Sequence, residues 1–594
     1  MARVRKGMKY CMAKDSIEQS QSENRESSVV AVPVTAVGTT EDAEPLVAVV
    51  EQRAAEAQPS ERREIVKSAS LVMLGNLGSS VMGMVRQIVV ASTGTTIAGP
   101  FLAALRPAQT FNDLLVNGSV SGALIPTFND YAAPEKRDEL RRLVFTIVNL
   151  VFIVMLVASI LFFFFAPWFV DAILVPHYTP EDRLRTLQLA RVIFFSLLGL
   201  GPFAVLLAAL YALKEFGWPA FATVSYHFGI IIGAAIGAFV GLERFGYLGL
   251  GIGVLIGVVG ELVLLMPGIR KQRLGYMFIL DLKHPALPRI LKLYAPVAFS
   301  FLMSMGLIFL DQNLASGTPC MSFMARAKEC GEANTSALSF ATTLIQFPVG
   351  LVAAALSFAV LPTLTAHMRD SNLERFKDTL LLGFRLGLLL MIPAAAGLIV
   401  LQVPIIRLIF EHGNYKPNDA RLAAIALQYY AFQLPFVALD QILINAFYAR
   451  KNTIIPVAVY VVSLLGYLGV ALPFSQTWGM PALALANTVQ NSSHAIVLLL
   501  ILRAVIGPMH IRKTIPVVLK ILLATAAMVA VAWGLQLAMA HSALFSLDHL
   551  LGRLLTVIIA GGVATGVYFG LVLFFKVEEV ALLKGAVLAK LGKK

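Results

Sequence analysis

The chain has 594 residues, of which 58% are hydrophobic and 14% are charged. Soluble globular proteins average about half apolar and about a quarter charged residues, so this composition excludes an ordinary soluble protein and indicates many membrane crossings. The formal net charge of +13 does not call for nucleic acid as a partner, because the basic residues lie mostly in loops and at the chain end, where attraction to an anionic membrane surface accounts for them.

The two ends of the chain differ from its apolar middle. Residues 1–65 contain polar stretches such as DSIEQSQSENRESS, which cannot bury enough apolar surface to fold, so we expect a disordered tail. The start, MARVRKGMKYCMAKDS, lacks the apolar core of a cleavable signal peptide. Residues 577–594 form a second tail, which is basic.

Apolar runs long enough to cross a bilayer recur between these tails. Because about 20 apolar residues span the hydrocarbon core as a helix, the sequence predicts an all-α polytopic membrane protein with about 14 transmembrane helices. The predicted spans are 67–93, 98–124, 143–174, 188–212, 219–241, 248–269, 293–314, 335–364, 380–409, 422–447, 456–474, 482–502, 515–540 and 553–575.

Lysines and arginines in the short loops predict the orientation. Loops that follow even-numbered helices hold most of these residues, including Lys136, Arg137, Arg141 and Arg142 after the second helix. Cytoplasmic loops are enriched in such residues. Both termini are therefore predicted to be cytoplasmic.

An internal repeat predicts two similar halves. When GALIPTFNDY is aligned with FAVLPTLTAH, Pro126 matches Pro362, and YALKEFGWPA aligned with YARKNTIIPV places Pro219 on Pro456 at nearly the same offset. Six predicted helices separate the copies, so the halves keep the same orientation, as two six-helix lobes related by a pseudo-two-fold axis with a pathway between them. Two C-terminal helices fall outside the repeat. The predicted domains are 66–292, 293–514 and 515–576.

The second predicted helix carries an unusual row of polar residues. Gln109, Asn112 and Asn117 would be costly facing lipid, so we expect them to line a water-filled cavity or the interior of the helix bundle. Glycines four residues apart allow close helix packing, and prolines kink or end helices. The candidates for packing or gating are Gly118, Gly122, Pro126 and Pro362.

Two arginines lie on apolar predicted helices. Arg86 and Arg106 each need a partner inside a membrane, and two guanidinium groups on adjacent helices suit an anionic ligand, particularly phosphate oxygens. A structural ion pair with Asp113 is the alternative. Arg385 lies near a helix end, where its side chain can reach the membrane surface. The other candidates in the second half are Asp311, Gln312, Asn313, Gln346, Asp440 and Gln441.

Cysteines and the known catalytic motifs add little. Cys320 and Cys330 share one loop on the predicted outer side, where either a disulfide or two free thiols are compatible with the spacing. The chain has no phosphate-binding loop, no HExxH or paired CxxC metal motif and no GxSxG nucleophile motif, so neither an enzyme nor a metal or cofactor site is expected. Gly253 and Gly257 on the sixth helix are typical of helix packing.

Four stretches together resemble a known family. FNDLLVNGSVSGALIPTFNDY, AALSFAVLPTLTAHM, AFYARKNTIIPVAV and LYALKEFGWPAFATVSYHFGIIIG are similar to the MurJ (MviN) lipid II flippases of the multidrug/oligosaccharidyl-lipid/polysaccharide exporter superfamily, over about residues 65 to 575. The resemblance implies two lobes around a cationic cavity for the head group of lipid II, and a groove at the last two helices for its polyprenyl tail.

Several positions depart from the family pattern. Where the family has Arg-Asp on the first helix, this chain has Arg86-Gln87. On the second helix, Asn112 stands where the family has a further arginine, and Asn117-Gly118 stands where it has Glu-Gly. An Asp-Arg pair on the eighth helix is replaced by Thr342-Thr343, and the following Glu-Phe-Pro begins with Gln346. The cationic cavity is therefore expected to be reduced.

The resemblance implies a function and a place in the cell. The chain would move lipid II from the inner to the outer leaflet of the bacterial plasma membrane by alternating access, for peptidoglycan synthesis. Substrate contacts are expected from Arg86, Arg106, Gln109, Asn112, Asn117 and Gln346. The partners implied are a lipid-linked anionic substrate, the membrane and cell-wall synthesis proteins. The alternatives are an exporter of another lipid-linked glycan or amphipathic molecule, and a membrane scaffold that transports nothing.

Overall fold

A computed structural model describes residues 59–115, 123–241, 245–324, 330–370, 372–450, 452, 454–509, 512 and 514–580. Within these ranges every regular element is a helix, and no strand occurs. The predicted all-helical fold class is confirmed. The α-helices are α1 Pro59–Ser92, α2 Thr95–Asp113, α3 Ile125–Asn129, α4 Arg137–Phe169, α5 Pro180–Phe194, α6 Leu197–Ala212, α7 Gly217–Val240, α8 Leu248–Lys271, α9 Ala286–Gly317, α10 Cys330–Arg369, α11 Leu373–Val400, α12 Gln402–Phe410, α13 Pro417–Ala431, α14 Leu434–Ala449, α15 Ile454–Trp478, α16 Met480–Ile506, α17 Ile515–Met539 and α18 Leu550–Phe574.

Each predicted span coincides with one helix or with a broken pair of helices. In the part of the chain that the structure describes, nine spans are long and apolar enough to cross a membrane, and a tenth is added if α13 and α14, bent by 44°, count as one. The count of about 14 therefore stays a prediction. Three predicted spans are interrupted: 188–212 is divided between α5 and α6, 380–409 between α11 and α12, and 422–447 between α13 and α14.

The described residues extend into both predicted tails. The first helix begins at Pro59, inside the predicted disordered region, because ERREIVKSAS is rich in residues that favour helix. The rest of that tail, with Cys11, lies outside the described residues. At the other end, residues 578–580 are helical and Glu579 is buried, so the basic tail is preceded by a packed segment.

Glycines let α7 and α8 touch along their backbones. A Cβ atom at Gly253 would lie 2.7 Å from the Gly229 carbonyl oxygen, and one at Gly257 would lie 2.6 Å from the Tyr226 carbonyl oxygen. Such contacts leave no room for side chains, and small residues are what allow membrane helices to approach this closely. The packing role predicted for Gly253 and Gly257 is confirmed.

The last two helices form a hairpin against α11 and α12. The hydroxyl of Tyr568 on α18 donates to the Leu389 carbonyl oxygen at 2.7 Å. Arg385 on α11 forms a 2.8 Å ion pair with the buried Glu579. The sequence did not identify this partner, and the expectation that Arg385 reaches the membrane surface stays a prediction.

An ionic cluster fixes the other end of the same hairpin. Arg553 at the start of α18 donates to the Glu411 carboxylate at 2.6 Å and to the Arg407 carbonyl oxygen at 3.0 Å. Arg407 also contacts Glu411, at 2.5 Å. Because Glu411 and Arg553 are both buried, each neutralises a charge that would otherwise be costly. The hairpin is thus tied to α12 by specific bonds as well as by apolar packing.

Candidate substrate-binding cavity

Arg86 lies on α1 and is only 9% exposed. Its charge interacts with Tyr226 of α7 and with Arg106 of α2. Among the ion pairs between described residues, none involves Arg86. Arg86 and Arg106 are therefore near enough to influence one another, and the binding role predicted for them stays a prediction.

Arg106 joins the two halves of the chain. Its guanidinium donates to the Ser339 hydroxyl of α10 at 3.2 Å, and its charge also acts on Asp311 of α9 and Tyr430 of α13. The neighbouring Asp113 acts on Tyr226. The site therefore lies where helices of the N-terminal half meet helices of the C-terminal half.

A second contact between the halves involves two of the positions that depart from the family pattern. The Gln87 side-chain amide donates to the Thr343 hydroxyl at 3.3 Å. Both are uncharged, so the contact is a neutral hydrogen bond. The other amide atom, Gln87 Oε1, is buried and finds no hydrogen-bond donor among the described residues.

The remaining predicted binding residues are only partly gathered at this place. Gln109 and Asn112 are half-buried on α2, and the buried Asn112 Oδ1 has no donor among the residues described. Gln346 is half-buried on α10. The predicted residues Asn117, Gly118 and Gly122 lie outside the described ranges.

The two prolines predicted to act in packing or gating occupy different settings. Pro126 lies in the first turn of the short helix α3, a position where the missing N–H costs nothing. Pro362 lies within α10, which runs without a break from Cys330 to Arg369. The side chain of Pro362 is not among those described, and a gating role for either proline stays a prediction.

Several polar candidates of the second half form internal structural contacts. Asp311 accepts a hydrogen bond from the Tyr467 hydroxyl of α15. Gln312 donates to the Thr335 hydroxyl at 3.2 Å, and Asn313 donates to the Ile173 carbonyl oxygen at 2.7 Å. These residues hold α9 in place, and Asp311 also lies close enough to influence Arg106.

Asp440 belongs to a separate polar contact between α14 and α16. His494 Nδ1 lies 2.7 Å from its carboxylate, and His494 Nε2 lies 3.2 Å from the Pro456 carbonyl oxygen. The imidazole is thus satisfied on both sides, which is typical of a buried structural histidine. We therefore do not include Asp440 among the cavity residues.

Sequence reasoning missed the partners of the predicted residues. Thr343 was noted only as a departure from the family pattern, Ser339 is a small hydroxyl residue in an apolar helix, and Tyr226 resembles an ordinary core aromatic. No signal in a single sequence marks Ser339 or Tyr226 as a neighbour of the arginines. The tyrosines at 430 and 467 were missed for the same reason.

Contacts between the halves also close one end of the bundle, which we call the Glu332 end. The backbone N–H of Thr179 donates to Glu332 Oε1 at 3.3 Å, and that of Asn414 donates to the Ser92 carbonyl oxygen at 2.8 Å. Cys320 and Cys330 form a disulfide beside Glu332, with their Cα atoms 5.2 Å apart. Of the two alternatives left open by the sequence, the structure contains the bonded form.

Glu332 gives this closure an expected pH dependence. Glu332 precedes the predicted span 335–364 and is buried, and burial, with the nearby Asp182 carboxylate, raises its pKa from 4.5 to about 7. A raised pKa means that the closed arrangement is fully stabilised below the ordinary pKa of 4.5 and loses this stabilisation as pH rises through about 7. We expect the separation of spin labels across the Glu332 end to widen between pH 6 and pH 8.

A glutamine at this position should remove that dependence. Glu332→Gln keeps the hydrogen-bond acceptor but cannot ionise, so its label separation should be the same across the titration. Glu181→Gln is the matched control, because Glu181 lies in the first turn of α5 close by but is largely exposed. A Glu332→Gln protein whose label separation still widens with pH as in the wild type would contradict the assignment.

An apolar groove lies on the surface of the C-terminal half. It has a volume of about 410 Å³ and is formed by α11, α14, α16 and α17. Its lining is almost wholly hydrocarbon, which suits an alkyl or polyprenyl chain. All four helices contribute side chains to the lining, among them Leu381, Phe384, Leu443, Leu499, Val518 and Leu522.

Comparison with known proteins gives consistent matches. A family model described as lipid II flippase MurJ matches residues 90–554. A "probable lipid II flippase MurJ" of Bdellovibrio bacteriovorus is 26% identical over 533 residues, covering 88% of this chain and 97% of the relative. A similar protein of Rhizobium meliloti is 26% identical over 483 residues, covering 79% of this chain and 87% of the relative.

Two solved structures show the same fold. A lipid II flippase MurJ in an inward closed conformation aligns with a TM-score of 0.68 and 22% identity, covering 86% of this chain and 99% of that one. An inward-facing multidrug resistance MATE transporter of the MOP superfamily aligns with a TM-score of 0.55 and 15% identity, covering 72% and 94%. At these identities the structures establish the fold alone.

Proposed function

Because the chain belongs to the lipid II flippase MurJ family, we propose that it moves lipid II from the inner to the outer leaflet of the bacterial plasma membrane for peptidoglycan synthesis. The process is transport by alternating access and includes no covalent chemistry. The family assignment made from the sequence motifs is confirmed.

The arginine pair carries this proposal. Arg86 is buried close to Arg106, and its charge has no carboxylate partner among the described residues. An uncompensated cation is costly inside a membrane, so an anionic occupant would stabilise the site. The pyrophosphate of a polyprenyl-linked sugar supplies oxygens that guanidinium groups bind in pairs. We assign Arg86 and Arg106 to the pyrophosphate, and Gln109, Asn112, Asn117 and Gln346 to neutral hydrogen bonds with the head group.

The apolar groove supports the lipid-linked nature of the substrate. It lies between α17 and the C-terminal half, so a polyprenyl tail can stay in hydrocarbon while its head group enters the cavity. Splitting the substrate in this way avoids pulling a long apolar chain through a polar space. The protein then needs only to lower the barrier for the head group.

The direction of transport follows from the proposed orientation. The basic loops and the disulfide both support an outward-facing Glu332 end, because cytoplasmic loops are rich in lysine and arginine and disulfides persist outside the cytoplasm. With this end closed, the cavity would load from the cytoplasm. Outward movement of an anion is favoured by an inside-negative potential, by about 2.3 kcal/mol per charge per 100 mV.

A second candidate is the export of another lipid-linked anionic glycan. The observation that favours it is the neutral Gln87–Thr343 contact, which stands where the resemblance implies charged residues. Such a cavity would hold a head group with fewer or differently placed anionic groups. Arg86 and Arg106 suit both candidate substrates equally, because both substrates contain the pyrophosphate and they differ in the sugar.

Complementation tests the proposal. Cells depleted of their own flippase and expressing this chain should expose lipid II on the outer face and continue to grow. A chain that is correctly inserted but gives no outer-leaflet lipid II would overturn the assignment. Proteoliposomes containing either lipid II or another polyprenyl-pyrophosphate glycan then separate the two candidates, because only the true substrate should reach the outer leaflet at an enhanced rate.

A further inference from the structure

The segment that connects the two halves of the chain has an unexpected surface. Between α8 and α9, residues 274–281 form no helix. From Tyr276 to Leu282 the positions alternate between exposed and half-buried, as in an extended chain. The exposed side chains of this stretch are all large and mainly hydrocarbon: Tyr276 66%, Phe278 85%, Leu280 45% and Leu282 58%. We call residues 275–283 the strap.

The strap is fixed in this position by side chains of α4. Asn149 donates to the carbonyl oxygens of Met277 at 3.1 Å and Ile279 at 2.9 Å. Thr146 accepts from the backbone N–H of Asp281 at 3.3 Å. Met277 and Ile279 pack on the protein core. The inner face is therefore fully engaged, and the exposed row is not the result of a loose loop.

The depth of the strap follows from its partners on α4. Thr146 and Asn149 both fall inside the predicted span 143–174, in a helix whose apolar side chains at 152, 153 and 154 are exposed. Those side chains face lipid in a membrane-spanning helix. The strap runs one turn away from them, so its apolar row continues the lipid-facing surface of α4.

Basic residues flank the apolar row on both sides. Arg270 and Arg273 precede the strap and Lys283 ends it, and all three are exposed. Cationic side chains next to inserted aromatic and aliphatic ones are the pattern by which protein surfaces bind anionic membrane interfaces. A large exposed apolar patch needs a partner, and the flanking charge and the continuity with α4 both favour lipid.

We propose that the strap is a membrane-interface anchor, in which Phe278, Leu280 and Leu282 insert into the bilayer while Arg270, Arg273 and Lys283 contact anionic headgroups. Tyr276 holds the start of this row against α4, because its hydroxyl donates to Asn149 Oδ1 at 3.2 Å. The connection between the two halves is then held in the membrane beside α4. The predicted spans 248–269 and 293–314 leave these residues in a loop, and the basic residues around them make the alternation hard to see in the sequence. The inference does not depend on the identity of the transported substrate.

Depth measurement by spin labelling tests the anchor in the full chain. Phe278→Cys and Leu280→Cys are labelled separately in a Cys11→Ser background and reconstituted into phosphatidylethanolamine vesicles with phosphatidylglycerol. Both labels should collide with oxygen readily and with a water-soluble nickel chelate several-fold less often than a label at Glu135→Cys, an exposed position in the loop before α4. Removing phosphatidylglycerol should raise the nickel collisions.

Two results would overturn the proposal. Nickel collisions at positions 278 and 280 equal to those at 135 would place the strap in water. Labels shielded from both oxygen and nickel would mean that protein covers the row, and dipolar coupling between labels on two chains would then identify a second copy as the cover. Because two positions on the same face are labelled separately, a local disturbance caused by one substitution would not be mistaken for the depth of the strap.

Discussion

Arg86→Ala is expected to lower the rate of lipid II translocation at least about tenfold, because a charge-assisted hydrogen bond contributes about 1.5–3 kcal/mol and each 1.4 kcal/mol is a factor of ten. Arg86 is buried near Arg106, so its removal weakens the site for a pyrophosphate without exposing new surface. Arg86→Lys should recover only part of the rate, since an ammonium group cannot bind two oxygens in a fixed plane.

The measurement is lipid II flipping in proteoliposomes with matched protein content. Arg142→Ala is the control, because Arg142 is an exposed arginine on α4 that is not assigned to the substrate site. Its rate should equal that of the wild type. An Arg86→Ala protein that is folded and flips lipid II at the full rate would remove Arg86 from the substrate site.

Gly253→Val is expected to destabilise the protein by about 3 kcal/mol or more, at the upper end of the cost of overpacking. A Cβ atom there would lie 2.7 Å from the Gly229 carbonyl oxygen and 2.9 Å from the Gly233 Cα atom. Both are backbone atoms, so α7 and α8 must move apart and lose the close contact that holds them. Thermal unfolding in detergent should show a clearly lower midpoint.

Gly566→Val provides the matched control for this helix contact. Gly566 lies on α18, and a Cβ atom there meets nothing within 4 Å. The same substitution in another membrane helix should therefore leave the unfolding midpoint nearly unchanged. Equal midpoints for the two variants would mean that the glycine contact between α7 and α8 contributes little to stability.

The sequence predicted the helices well because membrane insertion leaves a strong signal. Each apolar run coincides with a helix or a broken pair, and the glycines at 253 and 257 identified a real packing face. The breaks were harder to see. α11 gives way to α12 at Leu401, and Pro404 in the first turn of α12 cannot donate a hydrogen bond to the carbonyl oxygen four residues earlier. That local signal is ambiguous, because Pro393 lies inside the continuous helix α11.

The charged residues of the candidate site could be predicted from the sequence, but the residues that contact them could not. Arg86 and Arg106 were identified because a cation on an apolar helix is costly wherever it lies. Their neighbours could not be found, since Arg106 contacts Ser339 across 233 residues of sequence. The same distance problem explains Arg385, whose partner Glu579 lies near the end of the described chain.

The ionic cluster at α12 has a consequence for the biogenesis of the protein. Glu411 is buried, and its carboxylate receives a bond from Arg553, which the ribosome adds more than a hundred residues later. Until α18 is synthesised and inserted, Glu411 has only Arg407 as its cation. A nascent chain without α18 therefore leaves this carboxylate with fewer donors than the finished protein supplies. Insertion of the final hairpin adds the donors from Arg553 and completes the ionic cluster.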